Sequence, residues 1–364
     1  VTAAPATAQP ASTRDGHRHR PRNGPTGALL VLLGLALIVT IAIALGIGSV
    51  HIPVETVVQV VARRMRLGDY PVTVLQDQIV WDLRYPRVLG AAATGAGLAT
   101  VGAVLQSLTR NDLADPYLLG ISSGASVGAV SVIVLGVGVG TLGSTVALTA
   151  GAFLGALAAL VVVLLFATGR SGTLPPARVV LAGVAVGYLC SAYTSFIVMT
   201  SGESDAARRV LSWTLGSFAG LRWDSAIFLI VVTLLGLVLN LAFSRDLDAF
   251  AFGEASATSL GVPVSTVRWT LMTGTALLTA CLVAVVGAIG FVGLVVPHIV
   301  RLLAGPGHVR LLPLSLLVGA IGMVWSDTAA RSLVAGQEIP VGVITAAIGA
   351  PFFVWLLRRA GRES

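Results

Sequence analysis

Apolar residues run along this chain in long stretches, separated by short clusters of arginine, glycine, proline and small polar residues. Ten stretches stand out: Gly27–Gly48, Val88–Leu108, Leu118–Val137, Val146–Ala167, Val179–Met199, Ala226–Phe243, Trp269–Gly287, Phe291–Leu303, Leu311–Trp325 and Val341–Leu357. Most approach the roughly 20 residues that a helix needs to cross a bilayer. The pattern therefore predicts an all-α polytopic membrane protein with ten transmembrane helices in one domain, residues 27–360. Residues 1–26, rich in Pro, Ala and Thr and carrying Arg14, Arg18, Arg20 and Arg22, are expected to form a disordered tail. A basic tail before an apolar run also suits a signal peptide. The run Gly27–Gly48 is longer than a usual signal core and lacks a small-residue exit, so a retained span is expected.

Composition agrees with the pattern. The 364 residues are 55% hydrophobic and 11% charged, against about 25% charged in an average soluble domain. All 23 basic residues are arginine, and they sit between apolar spans, so the net charge of +7 is no nucleic-acid footprint. With the tail on the cytoplasmic side, 14 arginines fall inside and nine outside, and both termini are cytoplasmic. The short stretch Phe291–Leu303 contains Pro297 and His298 and could be a re-entrant loop. That choice would turn the arginines of the C-terminus outward, so charge placement favours a true crossing. Gly124/Gly128, Gly151/Gly155 and Gly183/Gly187 form GxxxG pairs, expected where helices approach closely. Cys190 and Cys281 lie in apolar spans and suggest no disulfide framework.

Enzyme chemistry finds no foothold. No P-loop can exist without lysine, and no HExxH, CxxC or serine elbow occurs. No metal or cofactor site is expected, and His298 is expected to cap or hydrogen-bond near the end of its helix. Asp327 and Arg331, four residues apart, face the same way on a helix and suit either an ion pair or a docking surface. The spans hold almost no acid at mid-depth, which weighs against a proton-coupled secondary transporter or an ATP-independent channel, the rival class. Outside the spans, His51–Asp82 is expected at the membrane surface, and Trp213 and Trp223 suit interfacial anchors. The longest cytoplasmic loop, residues 244–265, predicts a short helix from Glu254 to Leu260 that stops at Gly261, with Pro263 beyond. Such a helix can lie on lipid or fit a soluble partner.

The stretch Trp81–Gly128 is the most informative. Arg84 and Arg87 flank Pro86, an uncharged span follows, and a helix-breaking knot runs from Arg110 to Pro116. Irregular polar backbone between membrane segments is tolerated where it lines water or is buried in protein, so the knot is a candidate piece of a translocation path. The LRYPRVL opening and RNDLADPYLLGISSGA resemble the permease subunit of the FecCD family of ABC importers, which carry ferric siderophores, haem or cobalamin. GEASATSLGVPV, GAIGFVGLVVPHIVRLLAGPGHVRLLPLS and EIPVGVITAAIGAPFFVWLL extend the resemblance over roughly residues 27–360.

The resemblance implies a type II ABC importer permease fold in a bacterial inner membrane. It also implies a dimer of two permease subunits, expected to be a homodimer, with two ATPase subunits that hold ATP and magnesium, and an extracytoplasmic substrate-binding protein. This chain then holds no cofactor itself. Arg84, Arg87 and Arg331 match positions where relatives pair with acidic residues of the binding protein, although Arg84 and Arg87 could instead snorkel to headgroups. Asn111, Asp112 and Leu113, with Thr173, Pro176 and Ala177, match the cytoplasmic gate. Asp112 stands where many relatives have proline, and Pro175-Pro176 where they often have serine or threonine. Phe250, Phe252, Glu254, Ala255 and Gly261 match the segment that couples to the ATPase. A ferric siderophore is expected as cargo, from the family's commonest substrates and the absence of pore histidines, with cobalamin and haem as alternatives.

Overall fold

A computed structural model describes residues 26–48, 50, 52–168, 172–202, 205–334 and 336–360. The tail of residues 1–25, His51 and part of the loop 169–177 lie outside the described residues. Every predicted apolar stretch coincides with a helix: α1 (Thr26–Gly46), α2 (Tyr85–Thr109), α3 (Ile121–Leu135), α4 (Ser144–Ala167), α5 (Pro176–Thr200), α6 (Trp223–Ala242), α7 (Val264–Val286), α8 (Val292–Ala304), α9 (His308–Ala330) and α10 (Val341–Ala360). Among the described residues seven helices are long and apolar enough to cross a membrane, while α3, α8 and the part Val341–Trp355 of α10 are shorter apolar segments. No β-strand occurs among these residues.

Connections gather at two ends. Residues 48, 50, 82–84, 87, 220–222, 331, 332, 334 and 336–338 line one cavity, while 106, 107, 110, 112, 247, 248, 251, 252, 301 and 306–308 line another. The first end is called distal and the second proximal. Alternation along the chain brings the start of α1 and the end of α10 to the proximal end. The segment 287–308 leaves Trp213 and Gly216 near the distal side and arrives at Ser107 and Asp248 on the proximal side. It thus joins the two ends of the bundle.

Helix α2 is the centre. Nearly all of its residues from Pro86 to Leu108 are buried, packed by α6, α7, α8 and α9. Its Gly/Ala-rich sequence lets backbones close in, since apolar side chains gain little from leaving lipid and packing depends on fit. A Cβ on Gly102 would overlap the Gly293 carbonyl of α8, and one on Gly95 would overlap the Gly319 carbonyl of α9. Helices α3 and α4 cross in the same way at Gly124, Gly128, Gly151 and Gly155. At the third GxxxG pair only Gly183 is pressed, against the Leu118 carbonyl; Gly187 meets Ser123 Oγ at an ordinary 3.5 Å.

Two boundaries moved for local reasons. The stretch expected as one segment from Leu118 is a 3₁₀ turn, Pro116–Leu119, followed by Gly120 at φ +71° and then α3. Asp115 caps that turn by accepting the Tyr117 N–H at 2.9 Å. Helix α9 begins at His308 and ends at Ala330, so Asp327 is a buried residue within it. The surface segment carries an amphipathic helix, Val54–Arg64, tied back by an Arg64–Asp77 ion pair. Trp223 does not simply anchor at an interface. Its indole N–H donates to the Trp81 carbonyl at 2.9 Å, and its ring packs with Trp81 and Tyr85.

Candidate functional site

At the distal end the three arginines expected to face a partner converge on one cavity of about 900 Å³, but their guanidinium groups are engaged within the chain. Arg84, 6% exposed, donates to the carbonyls of Leu45 at 2.8 Å, Gly46 at 3.1 Å and Val50. Arg331 donates to the Ala44 carbonyl at 2.6 Å. Together they satisfy the last carbonyls of α1, which no helical N–H can reach, and place positive charge at that helix's negative end. Arg84, for which snorkelling was one alternative, turns its guanidinium inward onto these carbonyls. Arg87 grips Asp327 with Nε and Nη2 at 2.9–3.1 Å and reaches Glu338 with Nη1 at 2.9 Å. Asp327 Oδ2 also lies 3.8 Å from Arg331 Nε, so the expected Asp327–Arg331 pair is the weaker half of a network centred on Arg87.

At the proximal end a second cavity of about 440 Å³ lies between the Arg110–Asp112 corner and the segment Ser244–Phe250. Arg301 of α8 pairs with Asp112 at 2.6 Å and donates to Gln106 Oε1 at 3.1 Å. The Gln106 amide donates in turn to the Leu294 carbonyl at 3.2 Å. His308 lies 2.6 Å from Asp248 through Nδ1 and 2.6 Å from Ser107 Oγ through Nε2. Burial raises the Asp248 pKa, and the hydrogen bonds and charge of His308 outweigh that, holding the carboxyl below its ordinary value. Its contribution is thus present at neutral pH and is lost only as pH falls through that depressed value. The trio is no hydrolase site. Ser107 Oγ is 3.1 Å from the Ala103 carbonyl, and the next two residues are still helical, so their N–H groups are spent inside α2.

The expected gate residues form two corners. Arg110 takes a left-handed conformation, φ +50°, and the Asn111 side chain accepts the Leu113 N–H at 2.9 Å, making a tight turn. Asp112 leans on α8 through Arg301. Thr173 and Ala177 are exposed, Pro176 opens α5 as its first residue, and the adjoining Gly172 carbonyl accepts the Trp269 indole of α7. The two corners therefore rest on different helices.

Deeper in the bundle the two interrupted segments meet. Tyr117 Oη accepts the Ile289 N–H at 2.7 Å and donates to the Ile289 carbonyl at 2.8 Å. One hydroxyl thus satisfies both backbone groups of a residue that belongs to no helix, which is how irregular backbone survives at membrane depth. Phe291 next to it sits at φ +69°, a costly conformation for an aromatic residue.

The loop 244–265 folds as two short helices, Ser244–Phe250 and Glu254–Ser259. The second stops before Gly261 at φ +86°, as expected. Phe250, expected to anchor a partner, is fully buried in this chain, with the Arg268 guanidinium 5.7 Å from its ring centroid. The helix ends at Phe250 and Phe252 lies in the turn beyond it, and of the two only Phe252 is exposed, at 74%. Glu254 pairs with the buried Arg268 at 2.6 Å, and Ala255 is exposed. His298 differs from expectation: its Nδ1 is buried and has no hydrogen-bond partner. Among the described residues no group of three or more His, Cys, Asp or Glu could hold a metal ion. Sequence reasoning missed His308, Tyr117 and Arg268, whose partners lie 60, 172 and 14 residues away.

The chain matches the FecCD transport family over residues 36–359. It is 44% identical over 282 residues to the cobalamin import system permease protein BtuC of Halobacterium salinarum, covering 77% of this chain and 73% of that protein. An uncharacterised ABC transporter permease, YvrB of Bacillus subtilis, is 38% identical over 95% of this chain and 97% of its own length. Among solved structures, an inward-facing metal-chelate type ABC transporter superposes with a TM-score of 0.77 at 33% identity, over 92% of this chain and 99% of that one.

Proposed function

This chain belongs to the FecCD transport family and is a permease subunit of an ABC importer, and from that premise we propose that its cargo is a corrinoid, cobalamin or a close analogue. The observation that carries the cargo is the 44% identity to a permease named for cobalamin import. The ferric siderophore expected from the sequence is the second reading, favoured by the likeness to a metal-chelate type transporter.

Two copies span the bacterial plasma membrane, with the proximal end and both termini in the cytoplasm. Two separate ATPase subunits hold ATP and magnesium and seat on the exposed face of 244–265, with Phe252 and the end of the helix at Gly261 as contacts. An extracytoplasmic binding protein docks over the distal cavity. Arg84 and Arg331 stay committed to α1 there. Arg87 exchanges the half-exposed Glu338 for a carboxylate of the partner. Asn111–Leu113 and the 173–177 corner close the cytoplasmic exit between transport events.

Uptake by proteoliposomes that contain this chain, its ATPase and its binding protein tests the reading. ATP-dependent accumulation of labelled cobalamin is expected. Accumulation of a ferric siderophore with no cobalamin uptake would overturn the cargo, and uptake indifferent to ATP would overturn the importer.

A further inference from the structure

Beside the buried side chains of Leu247 and Phe250, two polar joints of different character tie the loop 244–265 to the bundle. The helix Glu254–Ser259 hangs on α7 through the Glu254–Arg268 pair. The helix Ser244–Phe250 is fixed through His308, 4% exposed. Asp248 Oδ1 accepts from the His308 backbone N–H at 2.9 Å and lies 2.6 Å from its Nδ1, while Nε2 is 2.6 Å from Ser107 of α2. The Ser107 hydroxyl can donate to or accept from that nitrogen, so the bridge holds in either proton arrangement. One imidazole thus joins three elements: the loop helix, α2 and α9.

The two helices it joins are already a unit. They close at Gly95 and Gly319, and at their far ends Arg87 of α2 grips Asp327 of α9. From Ser107 to Arg87, and from His308 to Asp327, each helix rises by roughly 30 Å at 1.5 Å per residue. The pair is therefore a strut polar-bonded at both ends and packed between, and the loop is fastened to its proximal foot.

We propose that His308 is a positioning residue for coupled transport: it joins the segment 244–250 to the α2–α9 strut, so that displacement of the loop by the ATPase is delivered to the distal Arg87–Asp327 end. This rests on the importer reading. Without the joint, the ATPase would still seat on Phe252 and the helix 254–259, but with only the apolar contacts of Leu247 and Phe250 left less of its motion would reach the strut.

The test uses the assembled transporter and reads substrate taken up per ATP hydrolysed. Asp248→Ala removes both acceptor contacts and is expected to lower that ratio about tenfold, the scale of one charge-assisted hydrogen-bond pair, while the ATPase still co-purifies. Asp248→Asn keeps an oxygen that can accept from His308 and is expected to restore the ratio to within about twofold. A residue needed only for folding would alter yield without this split. His308→Asn, which keeps the backbone N–H contact and loses Ser107, provides a second probe and is expected to lower the ratio too. An unchanged ratio in Asp248→Ala and His308→Asn would overturn the joint, as would failure of Asn to rescue Ala at position 248. Loss of the ATPase from Asp248→Ala would also overturn it, by making Asp248 a docking residue. ATP-independent uptake by the wild type would overturn the importer reading and the joint with it; an ATP-driven wild type with unaffected variants sinks the joint alone.

Discussion

Arg87 holds two carboxylates from parts of the chain some 240 and 251 residues away, and these differ in what they cost to break. Asp327 is 2% exposed, so Arg87→Ala leaves a buried carboxylate with only Arg331, 3.8 Å away and making no hydrogen bond to it, as counterion. Breaking such a pair from one side costs about 3 kcal/mol or more, and a clear fall in the thermal midpoint of the detergent-purified protein is expected. Glu338 is half exposed and worth little to stability, so Glu338→Gln should leave the midpoint unchanged. It should strengthen binding-protein association by removing a competitor, which a titration at low and high salt would detect. Tyr117→Phe removes one hydroxyl and strands both backbone groups of Ile289. Each buried unmade bond costs about 1–3 kcal/mol, so this variant should be less stable than its small volume change suggests. A Phe variant with wild-type melting would show that Ile289 finds other partners. These roles were not legible in the sequence. Backbone carbonyls, the acceptors for Arg84, Arg331 and Tyr117, look alike at every position and leave no signature.

Among the elements, the helices themselves were legible, because apolar length is a property of contiguous residues. The corrections fell where local detail decides the path: Gly120 in the left-handed region shortens α3, and the α9 helix runs on past Trp325 to include Asp327, whose charge Arg87 neutralises. Two of the three GxxxG pairs were legible too, Gly124/Gly128 and Gly151/Gly155, and they define a sharp expectation. Gly128→Leu would drive a side chain into the Gly151 backbone of α4, where no rotamer relieves the overlap. Overpacking of well-fitted helices typically costs about 1–3 kcal/mol, and loss of folded protein from the membrane fraction is expected; Gly187→Ala, in a roomier place, should be tolerated. In the loop 244–265 the structure separates two substitutions that look equivalent in sequence. Glu254→Arg would strand Arg268 and disturb the bundle itself. Gly261→Val meets open space and bears only the left-handed conformation, about 1–2 kcal/mol. It is therefore the cleaner probe: a variant that inserts normally yet loses the ATPase on co-purification is expected, and wild-type recovery of the ATPase would remove Gly261 from the coupling surface.

For the whole molecule, the burial of α2 has a consequence for the order of synthesis. The helix is made second, yet its fixed contacts are to residues that come 140 positions later at Thr233, 188 at Leu294, 201 at His308 and 240 at Asp327. Until those arrive, a glycine-rich helix with arginines at its entrance has neither close-packed neighbours nor counterions, and must wait in lipid or beside the insertion machinery. Domains usually form as synthesis proceeds from the N-terminus; here the centre is completed by the last third of the chain. A ribosome-stalled or truncated product ending near residue 262 should therefore leave α2 facing lipid, so that a photoreactive side chain introduced at position 99 crosslinks to lipid or to the insertion machinery, while in the full chain the buried Ala99 position crosslinks only within the protein. Quality control that recognises unassembled membrane helices would then read the absence of α9 as an exposed α2, and a single late nonsense mutation would clear the protein as thoroughly as an early one.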